Sequence, residues 1–441
     1  MDTEHKLNRR QFVGAAAGTA AAAALGTWAI PKASADTATA PGERLVPPGK
    51  LGVQQFSLRD SITRRSIANS LANGLQPTMG YLGGPTFPED PTDIGPLVPL
   101  PGGFQEVFEY LASLGYRGFE FFSFNQNVNE LGRQPTVAEI RSYLDAAGLV
   151  GQGTHTASLG TMFSAALDGL SPAGETQIAN ALVLGFPMVG FAGDPTNSDR
   201  LDTVGNTIGW QEAARRANIV GAACAAAGLK YYWHVEQNGY RGFSTTLHPE
   251  LIGMNRMEWF FANTDRELMF VEPDTFHGYA GRARFPFPDG SLFDLFGWWK
   301  ANYHRIVAWH IKDGTRLASM PAPPTNPFTQ TVARPGFPLT ATDALYEGEG
   351  TIARGYPVDP DPAVVGFKRI FDDVGAKGSR FYMTESDNAI GPAATDAGRS
   401  LRHAKLATQY LLGLRAGPKA QPTSDVESEP VSHVEEMEVH P

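Results

Sequence analysis

RIVAWHIKDG, residues 305–314, is the stretch whose reading decides the fold. An apolar run closes on His310, Lys312 and Asp313 just before a glycine. As a strand, it places Ala308, His310 and Lys312 on one face and Val307, Trp309 and Ile311 on the other. The second face is apolar enough to pack under helices. The first starts with a small residue and ends in polar groups. That combination describes a buried strand with chemistry at its C-terminal end.

Companions to this strand recur along the chain. LGVQQFSL (51–58), GFEFF (118–122), VGQGTHT (150–156), FPMVGFAG, KYYWHVEQ (230–237), ELMFVEPDTFHG (267–278) and SRFYMTESD (379–387) read as strands. Helical stretches fall between them. GFQEVFEYLASLGY (103–116) spaces Phe104, Val107, Phe108, Leu111 and Leu114 along one face, and TVAEIRSYLDAAGL (136–149) carries Thr136 as an N-cap and Gly148 near its end. With residues 305–314 this makes eight strands, each followed by a helix or a long loop. The expected architecture is therefore α/β, a (β/α)8 TIM barrel. An open doubly wound sheet competes less well, because no Gly-rich nucleotide turn follows the first strand. Pro/Gly-rich insertions at about 74–102, 278–298 and 315–340 follow strands 1, 6 and 7, which in a barrel puts long loops on the C-terminal face.

The 441 residues suit one such barrel, and the net charge of −10 argues against nucleic acid as a partner. The single cysteine, Cys224 in GAACAAAG, excludes an intrachain disulfide. NRRQFVG (8–14), with Arg9 and Arg10, a soft Ala/Gly run and ASA at 33–35 read as a twin-arginine export signal cut after Ala35. The expected partner is the twin-arginine machinery, the expected location periplasmic or extracellular, and no membrane anchor is expected. Residues 36–50 read as a linker, 51–416 as the barrel and 417–441 as a disordered acidic tail.

Polar residues gather at the ends of the late strands. Strand 5 carries His234 and Glu236, strand 6 Asp274 with His277 three residues on, strand 7 His310 and Lys312, and strand 8 Glu385. Barrel topology brings such ends to one mouth. The mixture of imidazole and carboxylate suits a divalent metal such as Mn²⁺, Zn²⁺, Co²⁺ or Fe²⁺ better than Ca²⁺. The candidate ligands are His234, Asp274, His310 and Glu385. Glu236 and Glu385 are candidate bases, and Lys312 can neutralise oxyanion charge. Glu120, His155 and His277 are candidates for substrate contact. Trp298 and Trp299 could stack on a sugar ring or sit in the core.

VEPDTFH, AWHIKDG, EGEGTI (347–352) and YMTESD resemble, in order, four segments of the xylose-isomerase-like barrels, which include sugar-phosphate isomerases/epimerases and ketose 3-epimerases. LGYRGFEFF and GTHT resemble their strands 2 and 3. The resemblance spans about 50–415 and implies one divalent metal at the ends of strands 5 to 8. Carried over, its ligands are Asp274, His310 and Glu385. Where the epimerases carry a strand-5 glutamate, this chain has His234, with Glu236 two residues later on the same face; either can complete the metal sphere, His234 being preferred by position. The implied function is a metal-dependent isomerase or epimerase moving a proton beside a carbohydrate carbonyl. A keto-sugar lyase or hydrolase, a glycosidase using Glu236 and Glu385, and a non-catalytic sugar-binding protein are the alternatives.

Overall fold

The computed structural model describes residues 44–63, 102–126, 133–312, 367–374, 381–385 and 399–413. The export signal, most of the insertions at 74–102 and 315–340, EGEGTI and the acidic tail lie outside these residues. At the end of the expected linker, Leu45 and Val46 are buried, and both of their N–H groups bond to the Leu411 carbonyl.

Eight parallel strands surround an axis: β1 (Leu51–Gln54), β2 (Gly118–Phe121), β3 (Val150–Thr154), β4 (Met188–Ala192), β5 (Lys230–Val235), β6 (Met269–Pro273), β7 (Ala308–Ile311) and β8 (Phe381–Thr384). One ladder runs β3-β2-β1-β8-β7 and a second runs β4-β5-β6. Parallel bridges Val271–Ile306 and Asp274–His310 join β6 to β7. Between β3 and β4 no ladder forms among the described residues. The link there is a bond from the Ala157 N–H to the Gly190 carbonyl. The fold is α/β, a (β/α)8 barrel whose ladder is interrupted at the two junctions between these sheets.

The first two long helices begin and end where their sequence says they should. Thr136 closes a capping box with Glu139 at the start of α2 (Val137–Ala147), which ends in left-handed Gly148. The preceding α1 (Gly103–Leu114) presses Phe104 and Phe108 against Phe119 and Phe121 on the outer face of β2. Such aromatic pairs contribute roughly 0.5–1.5 kcal/mol beyond their buried area.

The barrel interior is layered, as alternation requires. Met188, Tyr232, Ala308 and Met383 form the middle layer, while Trp309 and Ile311 face the helices. Glycines make room for the large members: a Cβ on Gly52 would lie 2.2 Å from the Met383 sulfur, and one on Gly190 2.5 Å from the Tyr232 carbonyl. Phe270, Val307 and Phe381 pack beneath this layer. Val307 was expected on the outer face; it precedes β7 and so escapes its alternation.

Two further expectations change. Residues 51–58 are a strand only to Gln54, whose side chain accepts from the Phe56 N–H and turns the chain into a 3-10 helix, Gln55–Leu58. The insertion at 278–298 is largely helical. It completes α6 (Thr275–Arg284), capped by Asp274, and begins a further helix, Leu295–Ala301. Trp299, in that helix, is fully buried against Trp309 at 5.2 Å, and Trp298 packs on the core through Phe261.

Candidate metal centre

One step above the middle layer, alternation delivers a polar layer. Two residues beyond Gly52 comes Gln54, beyond Gly118 Glu120, beyond Tyr232 His234, beyond Phe270 Glu272, beyond Ala308 His310 and beyond Met383 Glu385. Glu120, Glu272, Asp274 and His310 have no exposed surface, and His234, Lys312, His155, His277 and Glu385 are nearly as deep. Asp274 leaves β6 in extended conformation and caps α6, its Oδ1 accepting from the His277 N–H at 2.7 Å. The Thr275 hydroxyl ties this turn to β7, donating to the Lys312 carbonyl at 2.7 Å. These backbone anchors fix Asp274, His277 and Lys312 relative to one another.

The imidazole of His310 stands between two groups of carboxylates. Its Nδ1 faces Glu385 at 2.9 Å and Asp274 at 3.9 Å, while its Nε2 faces Glu120 at 2.7 Å and Glu272 at 3.2 Å. His155 Nε2 lies 2.9 Å from Glu272 and 3.1 Å from Glu120, and its Nδ1 faces Gln54 at 3.3 Å. Tyr232 donates its hydroxyl to the other Glu120 oxygen. Lys312 Nζ sits 3.4 Å from both Glu385 and His277 Nε2.

The groups polarise one another. Burial alone would raise the Glu120 carboxyl, but the His155 and His310 imidazoles outweigh it and hold Glu120 well below the ordinary carboxylate range. Burial would lower His155; the Glu120 charge and hydrogen bonds to Glu120 and Glu272 push it up to about 10. Burial, reinforced by the Glu120 charge, lifts Glu272 to about 7, and burial lifts Asp274 to about 7 against the pull of Lys312. Glu385 is held low against burial by Lys312 and His310. Burial keeps His234 neutral, helped by the charge of His310, and keeps His277 neutral, helped by Lys312. A neutral imidazole retains the lone pair that a metal needs.

Four of the sequence-derived ligands, His234, Asp274, His310 and Glu385, bring ligand atoms within 4.8 Å of one another. His234 Nδ1 and Asp274 Oδ2 are buried without a hydrogen-bond partner. Orphaned donors of this kind cost free energy unless something satisfies them, so the residues fit a divalent cation. Glu236 stands apart. It follows the end of β5 at Val235 as the half-buried N-cap of the turn Gln237–Tyr240 and is not among the converging donors. Glu120 and His155 lie in the polar layer, and His277 lies beside Lys312.

No family model matches this chain, and no curated protein matches it significantly. Among solved structures, it is similar to a sugar phosphate isomerase/epimerase from Parabacteroides distasonis, at 16% identity over 88% of this chain and 100% of that one, with a TM-score of 0.47. It is also similar to a xylose isomerase domain containing protein from Salmonella typhimurium, at 9% identity over 83% of this chain and 98% of that one, TM-score 0.43. A third is the IolI protein with a binding zinc atom, at 11% identity over 82% of this chain and 99% of that one, TM-score 0.44. Likenesses this distant say nothing about the reaction.

Glu272, Tyr232 and Gln54 are the participants that sequence reading missed. The signal was present for two of them: Glu272 lies two residues before Asp274, and Tyr232 two before His234, on the same inward face. Gln54 could have been found the same way, as the last inward residue of β1.

Proposed function

We propose that this protein is a divalent-metal-dependent enzyme that moves a proton beside the carbonyl of an unphosphorylated carbohydrate, as an isomerase or epimerase does. The observation that carries the reading is the buried convergence of His234, Asp274, His310 and Glu385 from four successive strand ends, with two of the ligand atoms lacking a hydrogen-bond partner. A divalent ion held by these four supplies Lewis acidity toward adjacent hydroxyl and carbonyl oxygens. The chain's own groups do the rest. Lys312 keeps the Glu385 carboxylate ionised and ready to accept a proton, and its ammonium can offset charge developing on a substrate oxygen. Glu236 is the second candidate base, placed at the exit of β5 outside the donor set. Glu120 and His155 brace His310 and Glu272 from below.

A keto-sugar lyase or hydrolase is the second reading. It is favoured by His234, which supplies an imidazole where a two-glutamate epimerisation would need a carboxylate.

The test uses the purified full-length chain, its metal content measured before and after chelation. Unphosphorylated ketoses and 3-keto sugars are then incubated with it in D2O. Metal-dependent deuterium uptake at the carbon beside the carbonyl, followed by NMR, is the expected result. Cleavage products without exchange would favour the lyase or hydrolase. A protein that holds no metal and does neither would refute both.

We also propose export, on Arg9, Arg10 and the ASA at 33–35. Replacing both arginines with lysine should trap the precursor in the cytoplasm; undiminished appearance of cleaved protein outside would contradict it.

A further inference from the structure

We propose a second divalent-cation site on the inner side of His310, formed by His155, His234, Glu272 and His310. It rests on the reading of the barrel mouth as a metal centre, shares His234 and His310 with it, and adds His155 and Glu272, which that reading does not need.

The four side chains come from the third, fifth, sixth and seventh strands or their ends, and their ligand atoms also lie within 4.8 Å of one another. Three nitrogens converge on one oxygen. Glu272 Oε2 lies 2.9 Å from His155 Nε2, 3.2 Å from His310 Nε2 and 3.4 Å from His234 Nδ1. A tetrahedral ion with bonds of about 2.0–2.1 Å holds its ligands about 3.3–3.4 Å apart, so these separations need to change little to close around one. The other Glu272 oxygen, Oε1, is fully buried and has no hydrogen-bond partner, and His234 Nδ1 has none either. Glu120 Oε2, 3.1 Å from His155 and 2.7 Å from His310, borders the same point. Beyond it, Gln54 faces the far nitrogen of His155, and Tyr232 donates to Glu120. Such outer partners orient ligands and tune their basicity.

The two positions differ in chemistry. The outer one draws on two imidazoles and two carboxylates, the inner one on three imidazoles and one carboxylate. The imidazole-rich inner set selects Zn²⁺ or Co²⁺ over Mg²⁺ or Ca²⁺. His310 turns one ring nitrogen to each side. A neutral imidazole has one lone pair, and His234 offers the same Nδ1 to both positions, so the two compete for ligands and the inner one shows most clearly when the outer carboxylates are removed.

The experiment titrates Co²⁺ into the full-length chain, reading visible absorption and the metal retained after gel filtration. With the outer carboxylates replaced together, Asp274→Asn and Glu385→Gln, the protein should still retain about one Co²⁺ per chain with a tetrahedral spectrum. Adding Glu272→Gln to that background should weaken retention by at least about tenfold. Glu385→Gln alone, with the same readout, covers the case in which the double variant fails to fold. A variant folded by circular dichroism that keeps no Co²⁺, beside a wild type that keeps one, overturns the inner site and leaves the outer centre standing. A wild type that keeps none overturns both.

Discussion

His310→Ala is expected to strip the barrel of tightly held metal and abolish turnover while the helices and strands persist. His310 is the one residue that faces Asp274 and Glu385 on one side and Glu120 and Glu272 on the other. Even a group that merely supports a ligand typically costs 10–100-fold in metal affinity when removed, so loss of this imidazole should cost more than about 100-fold. The variant also leaves buried carboxylates facing a gap, and breaking buried pairs of this kind costs roughly 3–5 kcal/mol. It should therefore melt earlier than the wild type. The barrel should still form, because Met188, Tyr232, Ala308 and Met383 fill the layer beneath and Trp309 and Ile311 hold the outer face. Elemental analysis beside circular dichroism decides it: a folded His310→Ala protein with a full metal equivalent would refute the centre. His277→Ala is the comparison. The His277 ring hydrogen-bonds Lys312 and offers no ligand atom to the converging set, so that variant should keep most of its metal and lose turnover.

Trp309→Ala, one residue away, should do the opposite. Trp309 points outward, fully buried, with its ring edge-to-face on Trp299 at 5.2 Å. Truncating a buried tryptophan costs about 3–5 kcal/mol, a large share of the 5–15 kcal/mol that ordinarily separates folded from unfolded protein. The denaturant midpoint should fall accordingly. Metal retained per folded chain should stay at the wild-type level, since no Trp309 atom faces the polar layer. A midpoint within about 1 kcal/mol of wild type, or a folded variant without metal, would break the assignment of the two strand faces. Neighbouring residues on one strand would thus separate chemistry from stability, as the period-two alternation demands.

Much of this arrangement is legible in the chain. RIVAWHIKDG shows its two faces without any structure, and so do the Thr136 cap and the Gly148 stop. His234, Asp274, His310 and Glu385 could be named because barrel topology brings strand ends together wherever they lie in sequence. Val307 was misplaced because it precedes β7, and Glu236, one residue past β5, caps the turn Gln237–Tyr240 and is not among the converging donors. The 278–298 segment misled for a related reason: its glycines and prolines resemble a loop, yet Asp274 starts a helix that carries on to Arg284.

By itself, then, the sequence determined the alternation of strands and helices and most of the residues that reach the mouth. These follow from local periodicity and from the cyclic order of the strands. Only the tertiary structure decided which of those residues touch. That Glu272 meets His155, contributed from far earlier in the chain, depends on how the strands are staggered around the barrel. Whether a buried imidazole is neutral or charged depends in turn on those contacts, because Coulomb interactions in a dry interior are set by distances of a few ångströms that no spacing in the sequence encodes.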